Sequence, residues 1–240
     1  MAKNRVNVDK HKRILTELLL DILKSLDGKI VFKGGTAAML FYELPRLSLD
    51  LDFDIVKEFN SEDIDRIKII IQKYGRIKDF YNKRYTIFFM LDYEQNTPNI
   101  KIEFNKRKWE NNNYEIHRLL GVELKIADIP TMMTHKAIAI TERKLPVARD
   151  LFDIYYFLKR EYFINSELLK ERINKSPEEY FSLLIKFIKK NYNSKNVLQG
   201  VGELVDEKQK SWLRKNLVSE SIKEIEKYLQ SNCYRGRTNR

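Results

Sequence analysis

The stretch that most constrains this chain is residues 31–56, VFKGGTAAMLFYELPRLSLDLDFDIV. It opens as an apolar run, turns on Gly34-Gly35-Thr36, continues with helix-like character and ends in an alternating Asp50-Leu51-Asp52-Phe53-Asp54 strand pattern. A glycine pair at the start of a helix leaves backbone N–H groups open to an anion, and the helix dipole favours negative charge there. Asp50 and Asp52 lie two apart on a strand, so their side chains share a face. Asp54 shares that face too, but strand twist sets it below the other two. Two carboxylates beside an anion-binding turn predict a site for Mg2+ or Mn2+ and a nucleoside triphosphate. Gly34, Gly35 and Thr36 are the expected triphosphate cradle, with Asp50 and Asp52 as metal ligands.

The rest of the chain arranges itself around this stretch. Residues 9–26 carry Ile14, Leu15, Leu18, Leu19, Ile22 and Leu26 at helical spacing, and Asp27-Gly28 ends the run. A short strand over 29–32 then feeds the glycine turn. A helix follows over 36–42, stopped before Pro45, and a second strand covers 50–56. Residues 61–74 read as a helix with Ser61 as N-cap. Strand patterns follow over 76–81, 85–93 and 100–105, with one or two more between 114 and 126. On 100–105, Ile100, Ile102 and Phe104 face one way, and Lys101, Glu103 and Asn105 the other. From Asp128-Ile129-Pro130 onward the pattern is helical: one helix to about 144, a second after Pro146, then 167–174, 177–191 and 207–230. Strands gather in the first half and helices in the second. The expectation is an α+β fold, a mixed sheet with helices over 1–127 followed by a helical domain over 128–240.

Composition narrows the partners. The 240 residues hold 45 Lys and Arg against 34 Asp and Glu, a net charge of +11 that attracts polyanions, nucleic acid first among them. The single cysteine, Cys233, excludes an internal disulfide or a cysteine metal cluster and fits a reducing, cytoplasmic setting. The charged N-terminus has no apolar signal-peptide core, and no run approaches the length of a membrane span. The final residues, SNCYRGRTNR, read as a solvated tail whose three arginines offer RNA contacts.

Taken together, Gly34-Gly35-Thr36 and then Arg46-x-Ser48-x-Asp50-Leu51-Asp52-Phe53 resemble the AbiEii/AbiGii-type nucleotidyltransferase toxins of type IV toxin–antitoxin systems, within the polymerase-beta-like nucleotidyltransferase fold. A second pair of segments carries the resemblance onward. THKAIAITERK is similar to that family's Lys-x-x-Ala-x-x-x-Arg helix, here Lys136, Ala139 and Arg143. ARDLFDIYYF is similar to its Arg-Asp-x-x-Asp-Leu segment, here Arg149, Asp150 and Asp153, with Ile154 where leucine is usual. The order of these motifs spans residues 31–155.

The resemblance implies an active site completed by the helical domain. Lys136 would neutralise triphosphate charge, and Asp150 or Asp153 would act as base or position that lysine. Arg143 and Arg149 belong to the same segments as nucleotide-binding candidates. Ser48 would orient nucleotide or metal. Lys33 and Arg46 are nearby cations, Arg46 either for the nucleotide or for a carboxylate of its own loop. Glu103 is a candidate third acid, placed as in the wider fold, where such a group activates the attacking hydroxyl; Asp150 is its rival for that role. His117 and His135 are weak candidates, with no zinc spacing. Tyr155, Tyr156 and Phe157 read as core packing, with base stacking as the other use.

The implied activity is metal-dependent transfer of a nucleotide from an NTP to an acceptor, RNA such as tRNA first, with an antitoxin encoded nearby. Protein nucleotidylation is the alternative enzyme reading. A catalytically silent nucleotide- or RNA-binding regulator is the non-enzyme one. Residues 160–240 carry no motif beyond helix packing.

Overall fold

The computed structural model describes residues 8–235, with side chains as far as Ser231. The side chain of Cys233, the first seven residues and the end of the basic tail lie outside the described residues. The chain forms two compact units. The first holds the described residues up to Glu43 together with Leu47–Lys108 and Tyr114–Ala127. The second holds Leu44–Arg46, Trp109–Asn113 and the residues from Asp128 on.

The first unit is a seven-stranded mixed sheet with three helices. Its strands are β1 (Ile30–Lys33), β2 (Asp50–Ile55), β3 (Arg76–Asn82), β4 (Thr86–Asp92), β5 (Ile100–Asn105), β6 (Tyr114–Leu119) and β7 (Val122–Ala127). They lie in the order β3-β4-β5-β2-β1-β7-β6. β2 runs parallel to β5 and antiparallel to β1, which itself runs parallel to β7. Period-two alternation gives the sheet one apolar face. Phe32 pairs with Phe53, Phe53 with Phe104 and Ile102 with Phe89, all fully buried. The Phe53 and Phe104 rings stack at 4.9 Å. Apolar positions of α1 (Val8–Ser25) and α3 (Ser61–Tyr74), among them Leu15, Leu18, Ile22, Ile67 and Ile71, are buried, and the two helices pack on each other. α2 (Gly34–Phe41) starts at the end of β1, so the glycine pair is the first turn of the helix itself.

One local expectation is corrected and another sharpened. The α3 cap is Asn60, not Ser61: its side chain accepts from the Asp63 N–H while Asp63 accepts from the Asn60 N–H. Ser61 falls one position inside the helix. Residues 114–127 form two strands, a hairpin turning on Leu120 and Gly121, both with positive φ, as a tight two-residue turn requires.

The second unit is helical in its regular elements: α4 (Ile129–Glu142), α5 (Ala148–Lys159), α6 (Ser166–Ile173), α7 (Pro177–Asn191) and α8 (Glu207–Arg235). Three of them start on side-chain caps, while α5 follows Val147 without one. Asp128 caps α4, Asn165 caps α6, and Ser176 with Glu179 forms a capping box before α7. α5 packs on α4 and α8, and α7 on α8. Leu151, Ile154, Phe157, Phe181, Leu184, Leu213 and Leu217 lie in this core. Residues 109–113 are tied down: Glu171 accepts from the Glu110 and Asn111 N–H groups. Among the described residues no helix is long and apolar enough to cross a membrane.

Candidate active site

The sequence candidates fall into two groups, one in each unit, and each is described by itself.

In the first unit the polar face of the sheet collects acids. β2 presents Asp50, Asp52 and Asp54, and parallel pairing sets Lys101, Glu103 and Asn105 of β5 directly beside them in that order. Antiparallel pairing sets Lys33 beside Asp52 on the other flank. Asp50, Asp52 and Glu103 remain half-buried, whereas Asp54 is buried. Asp54 is held by Lys33 Nζ at 2.5 Å and Asn105 Nδ2 at 2.7 Å. The expected nucleotide cation Lys33 therefore bonds the third aspartate of the strand, and Asp54 serves to hold it there.

The glycine turn touches this face directly. Gly34 adopts φ +85°, a left-handed conformation that few other residues tolerate. A Cβ there would collide with the Asp52 carboxylate. The backbone at the start of α2 thus approaches the acid at a distance only glycine allows. The N-cap residue, Lys33, makes no side-chain cap, and the carboxylate nearest the helix start is that of Asp52. The Thr36 side chain, expected to touch triphosphate, is fully buried and donates to the Asp50 carbonyl at 2.5 Å. What Thr36 offers an anion is its backbone N–H, while its hydroxyl ties the helix to β2. Ser48 is buried in the connection.

Asp52 and Glu103 are lateral neighbours on adjacent strands, about 4.8 Å apart at the backbone. Like charges so placed repel, and a divalent cation relieves that repulsion. The donors are hard carboxylate oxygens, as Mg2+ or Mn2+ requires, so the residues present fit such an ion. Among the described residues no three His, Cys, Asp or Glu side chains converge on one metal position. Glu103 is therefore not gathered with Asp50 and Asp52 into a three-ligand set. It meets Thr86 Oγ1 at 3.5 Å, and with Asp79 its charge adds to burial in pushing the Tyr81 hydroxyl pKa up. A buried histidine missed in the sequence flanks Asp50. His11 of α1 bonds the Tyr93 hydroxyl through Nδ1 at 2.7 Å. Burial lowers its pKa, against the Leu49 backbone and the Asp50 charge, which raise it.

In the second unit the candidates form ion pairs. Asp153 is fully buried and takes a two-pronged bond from Arg46, Nε to Oδ1 and Nη2 to Oδ2, both 2.6 Å. Lys136 Nζ lies 2.5 Å from Oδ2 of the same carboxylate. Burial pushes the Asp153 pKa up, but the Arg46 and Lys136 charges prevail and hold it below the usual carboxylate value. Arg46 thus takes its structural alternative, with a partner on α5 and not in its own loop. One turn earlier on α5, Asp150 is also buried and accepts from Arg143 Nε at 2.7 Å. The family-like spacing becomes legible: Lys136 and Arg143 reach from α4 and its end to Asp153 and Asp150 on α5, two rungs between antiparallel neighbours. Asp150 and Asp153 serve separate cations. Arg149 is half-buried.

Both weak histidine candidates have structural partners. His135 lies between Asn112 Oδ1 and Arg172 Nη1, at 2.8 and 2.7 Å. His117 packs edge-on against Phe41 and Tyr42 and meets Glu115.

Comparison with solved structures places this fold beside two proteins of Helicobacter pylori. JHP933 shares 23% identity at a TM-score of 0.56, with 95% of this chain and 98% of that one covered. A candidate nucleotidyltransferase from the same species shares 24% identity at a TM-score of 0.55, covering 91% and 96%. No curated protein matches the sequence. The model of the nucleotidyl transferase AbiEii toxin family, type IV toxin–antitoxin system, matches residues 17–230, and the chain belongs to that family.

Proposed function

We propose that this nucleotidyltransferase moves a nucleotide from an NTP to a hydroxyl of an RNA acceptor, in the cytoplasm, with a divalent cation at Asp50 and Asp52. The observation that carries the proposal is the half-buried acidic face of β2 and β5 against the glycine start of α2, where only glycine fits beside Asp52. Mg2+ or Mn2+ bound there would offset the charge of the triphosphate and of the leaving pyrophosphate. The N–H groups of Gly34, Gly35 and Thr36 take the phosphates. Glu103, half-buried beside Asp52, accepts the proton of the attacking hydroxyl. The bond from acceptor oxygen to the α-phosphorus forms as the bond to pyrophosphate breaks. Asp150 is a poor base by comparison, because its carboxylate is already held by Arg143. Membership in a toxin–antitoxin family implies an antitoxin partner.

The test is label transfer. The protein is incubated with Mg2+, each α-labelled NTP in turn and total tRNA, with Asp50→Ala as control. Label on RNA with wild type and not with the variant supports the reading and names the nucleotide. Label on protein alone replaces the RNA acceptor with a polypeptide. Mg2+-dependent nucleotide binding without transfer to either overturns the reading in favour of a binding regulator.

A further inference from the structure

The second unit contains a cavity of about 430 Å³ that the transfer chemistry leaves unused. Its walls are the end of α5 (Phe152, Tyr155, Tyr156), the start of α8 (Trp212, Leu213) and Pro45. Tyr155 and Trp212 face each other at 5.2 Å, and Trp212 remains half-exposed. The mouth is cationic. Lys159 and Arg160 are exposed, Arg160 sits 4.9 Å over the Tyr156 ring, and Lys159 bonds the Tyr155 hydroxyl at 3.1 Å. Beyond the lining, the first turns of α8 carry Lys208, Arg214 and Lys215, with Lys210 paired to Glu207 and Asp206 just ahead of the helix. Glu220 and Glu224 act electrostatically on Lys159 and temper the charge there.

We propose that this cavity receives an unpaired base of a single-stranded nucleic acid, with adjoining phosphates on Arg160 and the basic start of α8. The proposal rests on the RNA reading above. Aromatic walls and cationic rims are what single-strand binding uses: each base presents a π-face and each phosphate a charge. An apolar protein segment would fill the cavity as well but has no use for the cations. The pocket reads no base identity. Its amide, Gln209, donates to the Pro45 carbonyl and accepts from the Asp206 N–H. Stacking therefore accepts any base, and sequence preference is weak.

The experiment measures binding of a fluorescent eight-nucleotide single-stranded RNA to the full chain, wild type beside Trp212→Ala, Trp212→Phe and Arg160→Gln. Trp212→Ala weakens binding about tenfold, the loss of one stacked base. Trp212→Phe keeps a ring and stays within about threefold of wild type. Arg160→Gln weakens binding and flattens its salt dependence. Failure of wild type to bind the strand, equal binding by wild type and Trp212→Ala, or equal loss in both Trp212 variants overturns the proposal. Equal binding would leave the cavity to an apolar protein partner. Label transfer decides the function separately. Transfer to RNA with binding indifferent to Trp212 removes the pocket and keeps the transferase. Trp212-dependent binding without transfer does the reverse.

Discussion

The two groups of acids use the same side chains in opposite ways. On the first unit's sheet, Asp50, Asp52 and Glu103 are half-buried neighbours of like charge, with Asp52 against the glycine start of α2. On α5 of the second unit, Asp150 and Asp153 are buried, and each already holds a cation. The first arrangement keeps repulsion within reach of solvent, where a ligand can relieve it. The second has relieved it internally and stands as structure. Accessibility, not the mere presence of aspartate, separates a site from a brace.

The largest expected effect tests the brace. Asp153→Asn leaves Arg46 and Lys136 without their shared countercharge. Breaking a buried pair in this way costs roughly 3–5 kcal/mol. Chemical denaturation should show that loss, and Asp50→Asn should show almost none. Comparable losses in both variants would erase the contrast. The reverse holds for turnover. Asp50→Asn or Asp52→Asn should lower label transfer about 10²- to 10³-fold, the usual cost of losing one element that stabilises transition-state charge, with the melting curve unchanged.

Gly34→Ala attacks the join between helix start and acid. A left-handed φ costs a side-chain-bearing residue roughly 1–2 kcal/mol, and the added Cβ would push into the Asp52 carboxylate. Transfer should fall with only modest loss of stability. If Ala is tolerated in turnover, the close approach of backbone to Asp52 has no catalytic use. Arg143→Ala sharpens the other side. It leaves Asp150 buried and unpaired, at about 1–3 kcal/mol for an unsatisfied group. As a brace Arg143 affects the melting midpoint. A raised KM for NTP at unchanged stability would return it to the nucleotide.

Much of this was legible in the sequence because it depends on local periodicity. Alternation along 50–54 and 100–104 put the acids on one face and Phe53 and Phe104 on the other. The glycine pair marked the helix start, and Asp128 and Pro130 marked α4. Contacts distant in sequence were not legible. Arg46 finds Asp153 across 107 residues, and no local signal names that partner. Lys33 finds Asp54 only because antiparallel pairing of β1 and β2 brings them diagonally together. The N-cap moved from Ser61 to Asn60 because both residue types cap well, and register decides between them. The cavity at Trp212 draws its lining from three separated segments. Tyr155 and Tyr156 hinted at stacking, but nothing in α8 pointed to them.

The smallest effect is the response to mild acid, which should divide the two regions. His11 is buried with its pKa lowered, so the unfolded chain binds its proton more readily than the folded one. Its contribution is fully present above its unfolded value near 6.5 and is lost as pH falls through the lower folded value. Asp153 is also lowered, from a carboxylate's value. Its contribution is therefore intact at pH 5 and is lost only as acid takes it below the ordinary carboxylate range. Between pH 7.5 and 5.5 the first unit should weaken, while the second holds. Hydrogen-exchange protection of α1, corrected for the intrinsic pH dependence of exchange, reads the first region. Both tryptophans, Trp109 and Trp212, lie in the second unit, so their emission on denaturation reads the other. In His11→Gln the α1 protection should lose its pH slope. A slope that persists there would assign the acid sensitivity to another group. Equal weakening at α1 and at the tryptophans would mean that the two regions unfold together.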